Sequence, residues 1–118
     1  MSPERVHLDY LKDILDGLQK AHVFVGDLDR QEFAKDEKTV FAVVRALEIV
    51  GEAAKQIPQD VQEEYSRVPW RQMARMRDKL IHHYFGMDLN VIWKTVEEDV
   101  PELIAMISEI ISNTDASL

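Results

Sequence analysis

Two spacings around residue 80 bring together side chains that could do chemistry. His82 follows Asp78 by four residues, so on a helix the carboxylate can hydrogen-bond the imidazole and raise its basicity, which is the arrangement of a general base. Tyr84 follows Arg77 by seven residues, so these two lie along one stripe of the same helix. The spacing also fits a surface Arg–Asp–His network, with Tyr84 packed on Phe85. Both interpretations stay open at this point.

Arg77 and His82 are about 140° apart on a straight helix. For both to act on one phosphate, the arginine must wrap around, the helix must curve, or a second protomer must complete the site. His7 and His22 have no comparable cluster of partners in the sequence, and a structural or surface role is expected for each.

Metal and cofactor chemistry finds little support in the sequence. The chain has no cysteine, which excludes disulfides, thiolate zinc sites, iron–sulfur clusters and cysteine nucleophiles. The adjacent His82 and His83 point about 100° apart on a helix, which disfavours a two-histidine metal site. Asp27-Leu28-Asp29 is similar to the DxD motif of nucleotidyltransferases but lacks its Gly-Ser turn and sheet. No metal ligand set and no cofactor is therefore predicted.

Charge is distributed unevenly along the chain. The net charge of −8 by itself argues against nucleic-acid binding. Residues 67–84, however, contain five basic side chains and one acid, Asp78, and the nine basic and 21 acidic residues elsewhere sum to −12. We call residues 67–84 the basic segment; its cations are Arg67, Arg71, Arg75, Arg77 and Lys79.

The elements that must position these residues are helices. Apolar residues recur at steps of three and four without strand-like alternation, which predicts an all-α, antiparallel bundle of four to five helices. Helices are predicted over about residues 3–25, 36–57 and 69–85, with a last helix capped by Asp88, and residues 59–66 could form two helical turns. The polar connection at 26–38 could contain a turn of helix. Pro101 should kink or restart the last helix near Asp99 and Val100.

Apolar stripes predict the buried faces of three helices. The stripe of the first helix is Leu8, Leu11, Leu15, Leu18, His22 and Val25, and that of the last is Ile92, Val96, Val100, Leu103, Ile107 and Ile110. The second helix is apolar on two opposite arcs, so it is either the centre of the bundle or half of a subunit interface. A polar stripe of Arg45, Glu48, Glu52 and Lys55 separates the arcs on one side.

The length and the N-terminal sequence limit which domain organisation and cellular location can be expected. With 118 residues, one domain spanning residues 1–118 is expected. No apolar run approaches the roughly 20 residues that cross a bilayer, and the N-terminus lacks the features of a signal peptide. These features predict a protein of the cytoplasm without a membrane partner.

Arg77, His82 and Tyr84 form the pattern Arg, four intervening residues, His, any residue and Tyr. With this pattern, residues 69–88 resemble the HepT-like toxins of the HEPN superfamily, whose signature it is. The resemblance extends to about residues 3–113. It includes Pro69-Trp70 before the motif, Tyr84-Phe85-Gly86 at its end, the segment at residues 45–55 and the last helix with its internal proline.

The resemblance implies a helical homodimer with its active sites at the subunit interface. It further implies a metal-independent endoribonuclease, the toxin of a type VII toxin–antitoxin pair. Its partner would be an MNT-type nucleotidyltransferase antitoxin, which transfers AMP to Tyr84 and thereby inactivates the toxin. The family commonly has Asn after the motif Arg, so Asp78 is a departure that adds negative charge near the phosphate.

Residue chemistry is compatible with this activity. Arg77 would supply the cation, His82 the base or acid with Asp78 orienting it, and the partner's His82 the second proton transfer. Candidate RNA-binding residues are Arg71, Arg75, Lys79 and His83. The alternatives are a non-catalytic helical module that presents Tyr84 to a nucleotidyltransferase, and an unrelated helical scaffold.

Overall fold

A computed structural model describes the backbone of residues 3–82 and 88–117 and the side chains of residues 7–76, 78 and 88–115. Over this part of the chain every regular element is helical, which confirms the all-α prediction. The elements are α1 (Pro3–Val25), α2 (Arg30–Lys35), α3 (Glu37–Ala54), α4 (Gln59–Glu64), α5 (Trp70–His82), α6 (Leu89–Lys94), a π-helical turn (Thr95–Asp99) and α7 (Val100–Ser117). The long helices α1, α3, α5 and α7 form the bundle.

Helices α3 and α1 are the two inner helices of this bundle. Helix α3 packs against α1 on one side and α5 on the other, while α1 also packs against α7. Gly17 of α1 lies against Val50 and the carbonyl of Ala46, and Tyr10 lies near Ala53, so α1 and α3 run antiparallel. Most of the apolar surface of α3 is therefore used within one chain, although Ala42 and Ile49 are only half-buried and Phe41 is exposed. Its buried residues are Val40, Val43, Val44, Ala46, Leu47, Val50, Gly51, Ala53 and Ala54.

The predicted stripe of α1 is partly wrong. His22 is exposed and Leu15 is only half-buried, whereas Ile14 and Ala21 are fully buried. The buried face is thus centred further round the helix, because α1 packs against two helices, α3 and α7, rather than one. The surface alternative considered for His22 agrees with its exposure.

The connection between α1 and α3 contains the short helix α2. Gly26 ends α1 with a φ of 52°, and Asp29 caps α2 by accepting from the Glu32 amide at 2.8 Å. Phe33 is 1% exposed, and its ring centroid lies 5.6 Å from that of Trp93. Arg30 also donates to Asn90 Oδ1. These contacts attach α2 to α6.

Asp88 and Pro101 set helix boundaries in the last third of the chain, as predicted. Asp88 Oδ1 caps α6 by accepting from the amides of Asn90 at 3.0 Å and Val91 at 3.3 Å. Val100 immediately precedes Pro101, and its amide donates to the carbonyl of Thr95, five residues earlier in the chain. A π-helical turn therefore separates α6 from α7, and the predicted restart at Val100 is confirmed. All six residues of the predicted stripe, Ile92, Val96, Val100, Leu103, Ile107 and Ile110, are buried.

The start of helix α5 is held by hydrogen bonds. Trp70 is buried, and its indole Nε1 donates to the Tyr65 carbonyl at 3.1 Å, which ties the start of α5 to the end of α4. Pro69 precedes the helix, and its carbonyl accepts the Met73 amide at 3.0 Å. The predicted end of this helix, Phe85 and Gly86, lies outside the described residues. None of the helices in the described ranges is long and apolar enough to span a membrane.

Candidate functional site

Helix α5 carries the catalytic candidates and presents one polar face. Arg71, Arg75 and Asp78 are exposed and fall within about 60° of one another at 100° per residue. The position of His82 follows that of Arg71 by eleven residues and lies on the same face of the helix. The backbone register therefore brings Arg71, Arg75, Asp78 and the Cα of His82 onto one stripe, which we call the α5 stripe.

Arg77 belongs to a different face of α5. Its position follows buried Met73 by one turn and buried Trp70 by two turns. The predicted separation of about 140° between Arg77 and His82 applies to this helix. Within one chain, the backbone does not bring the two motif positions onto one face.

The only charged partner described for Asp78 comes from another helix. Lys55, which caps the C-terminus of α3, places its Nζ 3.7 Å from Asp78 Oδ1. Both side chains are substantially exposed, at 40% for Lys55 and 52% for Asp78. The pair sets a positive charge beside the one acid of the basic segment. The α5 stripe is thereby bordered by a lysine that local sequence patterns did not single out for this role.

The polar stripe predicted on α3 is present and lies at its surface. Arg45 and Lys55 are exposed, Glu48 and Glu52 are half-buried, and Arg45 Nη1 lies 3.7 Å from Glu48 Oε2. The stripe is therefore part of the protein surface, with an ion pair inside it.

A cleft of about 540 Å³ lies between α5 and α7, on a different face of α5 from the α5 stripe. Its apolar wall includes three methionines, Met73, Met76 and Met106, and Arg67 and Glu102 are among its polar residues. Met73 is buried, whereas Met76 and Met106 are only half-buried.

Several predicted site residues are placed only by their backbone or not at all. The side chains of Arg77, Lys79 and His82 lie outside the described residues, although their backbone belongs to α5. His83 and Tyr84 lie outside the described residues altogether. Of the RNA-binding candidates, Arg71 and Arg75 are exposed on the α5 stripe. Among the side chains that are described, no group of three His, Asp or Glu is arranged to hold a metal ion.

Comparison with known proteins decides the family. The family model for HepT-like proteins, described as "Ribonuclease HepT-like", matches residues 14–110, which include α3, α5 and the whole α5 stripe. The chain belongs to the HepT-like ribonuclease family. The resemblance found in the motif of residues 69–88 is thereby confirmed at the level of the family.

Curated relatives of this HepT-like chain match over most of their length. The chain is 53% identical over 100 residues to "Probable ribonuclease HepT" of Thermococcus cleftensis, covering 85% of this chain and 91% of the relative. It is 47% identical over 106 residues to "Putative RNase MJ0127" of Methanocaldococcus jannaschii, covering 90% and 88%. A protein of Caldanaerobacter subterraneus, "Putative RNase TTE0752", is 42% identical over 102 residues, covering 86% and 91%. No solved structure matches the HepT-like chain.

Proposed function

We propose that this HepT-like chain is a metal-independent endoribonuclease and the toxin of a type VII toxin–antitoxin pair. The observation that carries the proposal is the α5 stripe, which places exposed Arg71 and Arg75 in line with Asp78 and the position of His82. Its setting within a family of ribonucleases supports RNA as the substrate. The chain acts as one domain over residues 1–118, in the cytoplasm, where RNA is accessible.

Cleavage without metal needs two proton transfers and one cation. A base removes the proton of the 2′-hydroxyl, whose oxygen attacks the phosphorus, and an acid protonates the departing 5′-oxygen. His82 serves as base or acid, Asp78 orients it, and Arg77 stabilises the charge of the phosphorane. Arg71, Arg75, Lys79 and His83 hold the flanking RNA backbone, mainly through its phosphates.

A homodimer completes this site. Because the positions of Arg77 and His82 lie on different faces of α5, one chain alone has difficulty bringing both to one phosphate. A second copy contributes the missing group, and the partner's His82 takes the second proton-transfer role.

Regulation acts through Tyr84. An MNT-type nucleotidyltransferase antitoxin transfers AMP from ATP to the Tyr84 phenol, which forms a phosphodiester and releases pyrophosphate. The nucleotide adds a negative charge and a bulky nucleoside two residues from His82, where it excludes RNA by repulsion and by volume.

RNA cleavage in the presence of EDTA tests the catalytic part of the proposal. Wild type should cleave RNA, and Arg77→Ala and His82→Ala should each lose activity by at least about a hundredfold. Arg45→Ala, which removes an exposed arginine from α3, is the matched control and should retain activity. Equal cleavage by wild type and His82→Ala would remove His82 from the mechanism. An inactive wild type that binds a nucleotidyltransferase stably would instead favour the non-catalytic module.

Intact mass after co-expression with a neighbouring nucleotidyltransferase tests the regulation. Wild type should gain one or more AMP groups, and Tyr84→Phe should gain none. Tyr10→Phe, on α1, serves as the control and should be modified like wild type. AMP that persists on Tyr84→Phe would assign the modification to another residue.

A further inference from the structure

The Lys55–Asp78 ion pair joins two helices at the edge of the α5 stripe. The Lys55 Nζ and Asp78 Oδ1 atoms are 3.7 Å apart, although the two residues are 23 positions apart in the chain. The backbone of Lys55 is well fixed, because its amide donates to the Gly51 carbonyl at 3.2 Å and Ala54 and Ile57 beside it are buried. The α3 terminus therefore fixes the backbone position from which the lysine side chain reaches Asp78.

The position of Asp78 makes its charge consequential. It lies between Arg77 and Lys79 in the chain and one turn before His82, so it stands next to the residues that the proposed function assigns to the substrate phosphate. A bare carboxylate there would repel that phosphate. A cation at ion-pair distance cancels most of this field beyond the pair itself.

The pair also constrains geometry. A carboxylate has two oxygens and can accept several hydrogen bonds. Lys55 lies beside Oδ1, and the second oxygen can accept from an imidazole one turn further along α5, where His82 stands. A lysine that limits the rotamers of Asp78 therefore limits the orientations that Asp78 can impose on His82.

We propose that Lys55 is a positioning residue of the ribonuclease site, which neutralises Asp78 and holds its carboxylate toward His82. This inference rests on the proposed ribonuclease activity. Lys55 acts through Asp78 and does not itself contact the reacting atoms. Its importance should therefore depend on the negative charge at position 78.

A double-mutant cycle tests that dependence. The variants are Lys55→Met, Asp78→Asn and the two combined, assayed for kcat and KM on one single-stranded RNA oligonucleotide with EDTA. In the wild-type background, Lys55→Met should lower kcat/KM about fivefold. Part of the loss should be a higher KM, because an uncompensated carboxylate opposes the phosphate, and part a lower kcat, because Asp78 then orients His82 less well. In the Asp78→Asn background the same change should alter kcat/KM by less than about twofold. Lys55→Arg should restore most of the activity.

Lys20→Met is the matched control. It breaks an ion pair of similar exposure, with Asp16 at 2.8 Å, on helix α1, and should leave kcat/KM unchanged. An equal loss for Lys55→Met in both backgrounds would overturn the proposal, since Lys55 would then act on RNA directly. Unchanged cleavage in both backgrounds would overturn it as well.

A second readout separates this inference from the proposed function. The wild type and the three variants of the cycle are unfolded in urea at low ionic strength, and the interaction between positions 55 and 78 should appear as about a twofold coupling in the unfolding equilibrium constant. Coupling in stability without any RNA cleavage by wild type would refute the ribonuclease and, with it, the positioning role. Cleavage by wild type without coupling in stability or in kcat/KM would refute only the role of Lys55.

Discussion

Gly17 of α1 approaches Val50 of α3 so closely that the two helices leave no room for a side chain at position 17. A Cβ built there would lie 2.7 Å from Val50 Cγ2 and 2.9 Å from the carbonyl oxygen of Ala46. The second contact is with backbone, which cannot move aside without shifting α3. Because α3 also carries Lys55 and packs on α5, this contact helps set the position of the α5 stripe.

Gly17→Ala is therefore expected to destabilise the protein by about 1–3 kcal/mol, as overpacked core substitutions do. The sign is diagnostic, because Gly→Ala within an unobstructed helix stabilises by roughly 0.5–1 kcal/mol. Urea unfolding followed by far-ultraviolet circular dichroism measures the change. Gln19→Ala, exposed on the same helix, is the control and should stay within about 0.5 kcal/mol of wild type. A more stable Gly17→Ala protein would show that α1 and α3 are further apart.

The sequence was sufficient to predict the helices whose boundaries are local. Pro69 and Asp88 mark the starts of α5 and α6, and Pro101 marks the restart at Val100, because caps and missing amides act within one turn. The burial of Phe33 was not predicted. It lies in a polar stretch, and its burial depends on Trp93, a partner far along the chain that no local pattern identifies.

The site was predictable to a similar degree. The i, i+4 spacing predicted that Asp78 and His82 share one face, because a single helix fixes that relationship. That Arg71 and Arg75 lie on the same face was not predicted, although it follows from the same helix geometry. The contact between Lys55 and Asp78 depends on how α3 crosses α5, which follows from packing of the whole core. Lys55 was assigned only to the polar stripe of α3 for that reason.

Phe33→Ala should be strongly destabilising although it lies in a six-residue helix. The side chain is 1% exposed and contacts Trp93, so its removal leaves a cavity between α2 and α6 and should cost about 3–5 kcal/mol. Thermal and urea unfolding measure the loss. Phe41→Ala removes the same side chain from a position that is 57% exposed and should cost less than about 1 kcal/mol. Equal losses for the two variants would contradict the burial of Phe33.

Asp88→Ala should weaken the start of α6. The Asp88 carboxylate accepts from two amides, so its removal should cost about 0.5–2 kcal/mol in the free energy of unfolding. Asp88→Asn retains an acceptor oxygen and should stay close to wild type in a urea unfolding series, which separates capping from charge. If the two substitutions were equally destabilising, the negative charge rather than the cap would matter.

Removal of Arg71 or Arg75 should weaken the electrostatic contribution to RNA binding. Both are exposed on the α5 stripe, so each alanine variant should lower affinity for single-stranded RNA and reduce the magnitude of the salt slope of log K by about 0.7 per lost phosphate contact. The measurement is fluorescence anisotropy with a labelled RNA across a salt series, in a His82→Ala background so that RNA stays intact. Arg45→Ala on α3 is the control and should leave the slope unchanged. If neither Arg71→Ala nor Arg75→Ala changed the salt slope, RNA phosphates would bind on another face of the protein. The charge of the basic segment would then serve a different partner.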